Sequence, residues 1–195
     1  MQSVKDEFNE QIEIKKSSFI AYLIPISDFE TIHARLKVEH PKARHIVWAK
    51  RYLNEFDQIV ENSSDDGEPK GTSGPPVLNV MRGAELIECG ILIVRYFGGI
   101  KLGTGGLVRA YGSIAKNVIE SARLLPYEKK ENVRFYTVYN LVSRFEHFFE
   151  NENISFPKRA YLGEGIEWEV SLSESEKDLF LDFALQFERD GFRQI

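Results

Sequence analysis

Cysteine is almost missing from this chain. Cys89 is the single one among 195 residues, which excludes an intrachain disulfide and a cysteine-built zinc cage. Long apolar runs are missing as well: none reaches the ~20 residues of a membrane-spanning helix. The first seven residues hold Lys5, Asp6 and Glu7 and no apolar core, so no secretion signal is read there. A cytoplasmic protein without membrane contact is expected. Histidine is sparse and scattered at His33, His40, His45 and His147, with no base placed by sequence beside Thr72 or Ser73. No catalytic constellation follows, and each histidine reads as a surface or packing residue. The carboxylates Asp65, Asp66 and Glu68 lack the alternation of a calcium loop, so neither a metal nor a cofactor is expected. Cys89 falls in an apolar segment and reads as inert core.

Charge is present but unevenly placed. The net value is −5, yet residues 1–126 hold 16 basic and 16 acidic residues, and residues 127–195 hold 9 and 14. Residues 32–52 carry six Lys or Arg against Glu39 alone; residues 53–68 carry six acids and no base. Residues 91–119 contain Arg95, Lys101, Arg109 and Lys116 and no acid. An acidic total argues against indiscriminate nucleic-acid binding, while the local basic blocks keep a specific anionic partner open. Glycine is blocked too: eleven of 14 lie between 67 and 112.

Periodicity outlines two domains, 1–126 and 127–195, of α+β class. In the first, residues 11–26 alternate as a strand or bent hairpin, and Ser27 with Glu30 forms a capping-box pattern ahead of a helix stopped by Pro41. Strands follow at 43–53 and 58–61. A polar loop, 62–76, ends with Thr72 and Ser73 as cap candidates and Pro75 or Pro76 in the first turn of a short helix. Residues 89–97 are apolar on both faces, hence a central strand. A helix from Gly105 to about Ala122 buries Leu107, Tyr111, Ile114 and Val118. In the second domain, a strand at 132–140, a helix at 141–150, a hairpin over 154–162 and 165–172, a Ser173–Glu176 capping box opening a helix to about Asp190, and a last strand at 192–195 give the order β-α-β-β-α-β, a ferredoxin-like unit.

The stretch from Ile91 to Tyr111 is the candidate site. A buried strand enters a loop holding Gly98, Gly99, Gly103, Gly105 and Gly106, with Lys101 inside it and Arg109 one turn up the following helix. Amides at a helix N-terminus and two cations would cradle an anion. The pattern is neither a P-loop nor a dinucleotide fingerprint. The alternative is strand–loop–helix packing in which glycine solves sterics alone. The acidic loop invites a parallel choice: a complement to the Arg95–Lys101 region, or a solvated loop. Trp48, Tyr52 and Tyr96 lie near bases and offer either base stacking or core packing.

Taken together, Asp65-Asp66-Gly67-Glu68-Pro69, then Gly71-Thr72-Ser73-Gly74-Pro75, then Arg95-Tyr96-Phe97-Gly98-Gly99, Lys101-Leu102-Gly103 and Gly105-Gly106-Leu107 resemble the IMPACT family in its bacterial, YigZ-like members. The resemblance implies a first domain similar to domain IV of elongation factor G and to the second domain of a small-subunit ribosomal protein. It implies a second, ferredoxin-like domain similar to domain V of that factor. Eukaryotic relatives relieve translational repression by competing for the activator of a kinase that bacteria lack. The family brings no catalytic residues to carry over. Three functions are therefore weighed. The first is a non-catalytic, translation-associated binding protein whose partner is structured RNA, the ribosome or a translation-machinery protein. The others are a nucleotide- or phosphate-binding enzyme and a pure protein-interaction module. The first is favoured, with residues 65–75 and 95–109 forming one composite binding surface.

Overall fold

The structure is a computed structural model that describes residues 1–195. It divides into two units, Met1–Tyr127 and Glu128–Ile195. In the first, β1 (Gln2–Ser3) precedes β2 (Phe8–Ile14) and β3 (Ser17–Pro25). Only Lys15 and Lys16 join the last two, at φ 47° and 65°. Positive φ at both positions is the handedness of a type I′ turn, where asparagine and glycine are the usual occupants. Lysine in that conformation costs roughly 1–2 kcal/mol per residue.

Then come α1 (Phe29–Glu39), β4 (His45–Leu53), β5 (Ile59–Ser64), α2 (Gly74–Gly83), β6 (Cys89–Tyr96), α3 (Thr104–Ser121) and β7 (Leu125–Pro126). Five strands form an antiparallel sheet in the order β2-β3-β6-β4-β5, and β1 pairs with β7. Strand β6 is central and buried from Cys89 to Arg95, because both faces of the sheet are covered. Its odd positions, Ile91 and Ile93, pack with Phe19, Leu23, Met81, Tyr111 and Ile114 under α2 and α3. Its even positions, Leu92 and Val94, pack with Phe29, Leu36 and Ile46 under α1. Pro75 and Pro76 do open α2.

Two side-chain capping expectations fail here. Ser27 caps no helix: Ile26–Asp28 is a 3-10 turn, α1 starts at Phe29, and the Ser27 hydroxyl donates to the Asp28 carboxylate (3.0 Å). Ser73 does occupy the N-cap position of α2, but neither its side chain nor that of Thr72 makes the capping bond. Asp65 does so from a distance, its Oδ1 accepting from the amides of Ser73 and Gly74, both at 2.9 Å.

The second unit runs β8 (Lys130–Val138), α4 (Val142–Asn151), β9 (Lys158–Tyr161), β10 (Gly165–Ser173), α5 (Glu174–Ala184) and β11 (Phe192–Gln194). The β-α-β-β-α-β order is present, with an antiparallel sheet in the order β11-β8-β10-β9. The hairpin starts later than the sequence suggests, at Lys158. The last helix ends at Ala184 and hands over to a 3-10 segment, Leu185–Asp190. Phe135 sits at the middle of an aromatic core, with ring centroids of Phe145, Trp168 and Phe180 at 5.4, 5.7 and 4.8 Å. The buried indole of Trp168 donates to Thr137 Oγ1 (2.8 Å).

The Ser173 capping box does form. Its hydroxyl accepts from the Glu176 amide (3.3 Å), and the Glu176 carboxylate accepts from the Ser173 amide (2.7 Å). Burial opposes ionisation of Glu176, but bonds from Lys130 and Ser173 outweigh it and hold the carboxyl below its usual range. A depressed carboxyl stabilises the fold above its unfolded pKa, and that contribution disappears as pH falls through the folded value. Ser173→Ala is expected to cost about 1 kcal/mol at neutral pH. Glu176→Gln keeps the box and removes the charge, so its deficit against wild type should shrink in acid. Urea midpoints at pH 7 and in acid check both.

Candidate functional site

The acidic loop is built by its own carboxylates. Besides capping α2, Asp65 accepts from the Gly71 amide (2.7 Å) through Oδ2. Asp66 Oδ2 accepts from the amide of Ile46 at the start of β4 (2.6 Å), and His45 Nδ1 bonds the Asp66 carbonyl. Gly67 and Gly71 take positive φ, and Gly74 packs against the backbone of Ser64. Thr72 donates to the Pro69 carbonyl (2.6 Å), and Thr72 and Ser73 are buried, while Pro75 is exposed. Most of this loop is therefore occupied with holding itself and α2 in place.

Glu68 differs. Its side chain is 4% exposed and pairs with Arg95, itself 8% exposed, at 2.5 Å from Nη1 to Oε1. The Tyr111 hydroxyl donates to the same oxygen (2.9 Å). Burial, and then the Glu68 charge, push the Tyr111 phenol well above its ordinary range, so it stays a donor. The Arg95 guanidinium lies 5.4 Å from the Phe19 ring and 5.6 Å from the Phe97 ring. Its Nε is buried and finds no acceptor.

Past β6 the chain makes the glycine loop. Gly98 passes so close to the β2–β3 turn that a Cβ there would lie 1.9 Å from the Lys16 carbonyl oxygen. Gly99 has φ +87° with open space around it. Gly103, at φ 72°, is the residue from which α3 departs, and no side chain caps that end. Gly105 and Gly106 lie in the first turn. The glycines thus divide between packing (Gly98) and leaving bare the amides of a helix N-terminus (Gly103 onward), where anions are favoured.

These elements enclose a cleft of about 630 Å³ between the acidic loop, the end of β6 and the start of α3. Of the residues singled out in the sequence, Glu68, Arg95, Tyr96, Lys101 and Gly103 line it. Asp65, Asp66 and Gly71–Pro75 do not; Gly106 and Arg109 border a separate depression. The composite surface therefore comes down to Glu68 and Pro69 facing the Arg95–Leu107 segment. Sequence reasoning missed Lys42 and Arg44 at the rim, and Phe97, 55% exposed. The basic block at 32–52 was the available signal for the first two. A second cleft of about 690 Å³, in the other unit, sets Glu128, Glu131, Glu174 and Asp178 against Lys129 and Lys177.

His40 bridges the Tyr22 and Tyr96 hydroxyls at 3.3 and 2.8 Å, tying the end of α1 to the end of β6. Burial pushes the Cys89 thiol up to about 12, so it is not a nucleophile at neutral pH. No group of three or more His, Cys, Asp and Glu side chains is arranged around a metal position. No helix is long and apolar enough to cross a membrane.

The family model for the Impact N-terminal domain matches residues 15–119, which span β3 to α3 and hence the whole cleft. A Haemophilus influenzae protein named IMPACT family member is 46% identical over 121 residues, 60% of this chain and 57% of that protein. Bacillus subtilis YvyE, also an IMPACT family member, is 30% identical over 187 residues, 93% of this chain and 83% of its own length. Escherichia coli YigZ is 40% identical over 131 residues, covering 65% of this chain and 62% of the relative. The matches to the Haemophilus and Escherichia proteins thus span less than two thirds of those relatives. A crystal structure described as that of a hypothetical protein aligns with TM-score 0.69 at 26% identity, over 100% of this chain and 95% of the other.

Proposed function

The chain belongs to the IMPACT family, and from that premise we propose that it is a cytoplasmic, non-catalytic, translation-associated regulator that binds RNA, free or within the ribosome, through the glycine-loop face. The observation that carries this reading is the cleft at the N-terminus of α3, where Lys42, Arg44, Lys101 and Arg95 meet bare helix amides. Its one carboxylate, Glu68, is already engaged by Arg95 and Tyr111. The family resemblance implies a first unit similar to domain IV of elongation factor G and a second similar to its domain V, and that expectation runs in the same direction.

The test is affinity capture from native lysate with and without ribonuclease, comparing wild type with Lys101→Ala/Arg109→Ala. Ribonuclease-sensitive capture that the double variant loses is the expected result. Capture of a translation protein that survives ribonuclease would replace RNA by a protein partner. A thermal shift with ATP or GTP and magnesium would instead favour a nucleotide-dependent enzyme.

A further inference from the structure

Two depressions flank the first turn of α3 and share Leu102 as a common wall. One is the cleft with Lys42, Arg44 and Lys101. The other, about 220 Å³, is bordered by Lys15 and Arg109. Arg35, Lys50, Arg51, Arg82 and Arg95 of this unit are tied to carboxylates. Lys15, Lys42, Arg44, Lys101 and Arg109 stand in none of these pairs, and neither do Lys5, Lys16, Lys37, Lys70 and Arg123 outside the two depressions.

The second depression is held beside the first by backbone contact, since the Lys15–Lys16 turn rests directly on Gly98. Two lysines occupy the left-handed positions where asparagine and glycine fold at lower cost. That choice sacrifices stability and keeps Lys15 beside the first turn of α3.

Arg95 is more than nine-tenths buried, lines the first depression, and donates from Nη1 to Glu68 while its Nε has no acceptor. Beside it stands the exposed ring of Phe97. Two cationic hollows separated by one apolar side chain, with a half-exposed aromatic ring at one of them, match a phosphodiester chain carrying bases.

We propose that a single-stranded RNA segment crosses the N-terminus of α3 at Leu102, with one phosphate in each depression and a base stacked on Phe97. This rests on the RNA reading above and deepens it. Lys101, Arg44 and the α3 amides meet the first phosphate; Lys15 and Arg109 meet the second. A duplex buries its base faces and has nothing to offer Phe97.

The test uses the purified full chain and a fluorescent oligouridine of about ten nucleotides. Binding should weaken with salt at a log–log slope of about −1.4, as for two neutralised phosphates on a single strand. The same strand in a duplex should bind more weakly, and Phe97→Ala should lower affinity about tenfold or more. Lys15→Asn/Lys16→Gly should make the slope shallower by about 0.7 while raising Tm by about 4 °C or more. A purely structural role for the turn would not move the two in opposite directions. Arg109→Gln, on an exposed helix face, probes the second depression without touching the turn. Equal or tighter duplex binding, or an unchanged slope in both variants, overturns the proposal. If oligouridine does not bind but lysate capture stays ribonuclease-sensitive, the crossing is wrong and the RNA reading stands. Ribonuclease-resistant capture removes both.

Discussion

Glu68→Ala is expected to destabilise the first unit by about 3–5 kcal/mol, because it leaves the Arg95 charge buried without its counter-ion. The geometry leaves little room for escape. Arg95 is 8% exposed and held between β3 and β4, where its cross-strand neighbours are Phe19 and His45. The rings of Phe19 and Phe97 close over its guanidinium. The same deletion takes away the acceptor of the buried Tyr111 hydroxyl. Urea unfolding followed by Trp48, which packs against Phe29 in this unit, reads the loss. The pair itself contributes less than its deletion removes. Glu68→Gln/Arg95→Met keeps an acceptor for Tyr111 and replaces the guanidinium by an apolar chain. That double variant should return to within about 1–2 kcal/mol of wild type. It should fold and still bind RNA less tightly, since Arg95 is gone from the cleft. A loss under about 1 kcal/mol in Glu68→Ala would mean that Arg95 reaches water readily and that the cleft is not desolvated.

The elements whose partners lie close in sequence were legible, and those built by distant partners were not. Strand β6 announced itself, since an apolar run on both faces belongs between two covered faces. The Ser173 box was readable because the bonds that make it lie within four residues. The same pattern at Ser27 misled, because the chain leaving β3 is drawn into a 3-10 turn, with the Ile26 amide bonded to the Glu88 carbonyl. No local rule contains that contact. Asp65 capping α2 from eight residues away is invisible for the same reason. At the site, Lys101 and Gly103 could be named from the glycine loop itself. Lys42 and Arg44 arrive from the segment before β4, and Lys15 from a hairpin turn. Their charge was visible; their neighbours required the sheet order.

The glycine loop gives the sharpest separation of steric from conformational demand. Gly98→Ala should cost about 3 kcal/mol or more. Its Cβ would lie 1.9 Å from the Lys16 carbonyl oxygen, 2.0 Å from the carbonyl carbon and 2.5 Å from the Ser17 nitrogen. All three are backbone atoms, so no side-chain rotation relieves the overlap. The hairpin turn must lift, and the bond from the Gly98 amide to Ser17 Oγ (3.2 Å) goes with it. Gly99→Ala meets no atom within 4 Å and has only its φ of +87° to satisfy, worth about 1–2 kcal/mol. Gly112→Ala lies inside α3, where the nearest atom is Val80 Cγ2 at 4.0 Å, and should gain roughly 0.5–1 kcal/mol. Urea midpoints of the three variants should therefore fall in the order Gly112→Ala, Gly99→Ala, Gly98→Ala. If Gly98→Ala is no worse than Gly99→Ala, the turn does not rest on the loop. Lys15 then loses its fixed place beside α3, and the two depressions cannot serve one strand.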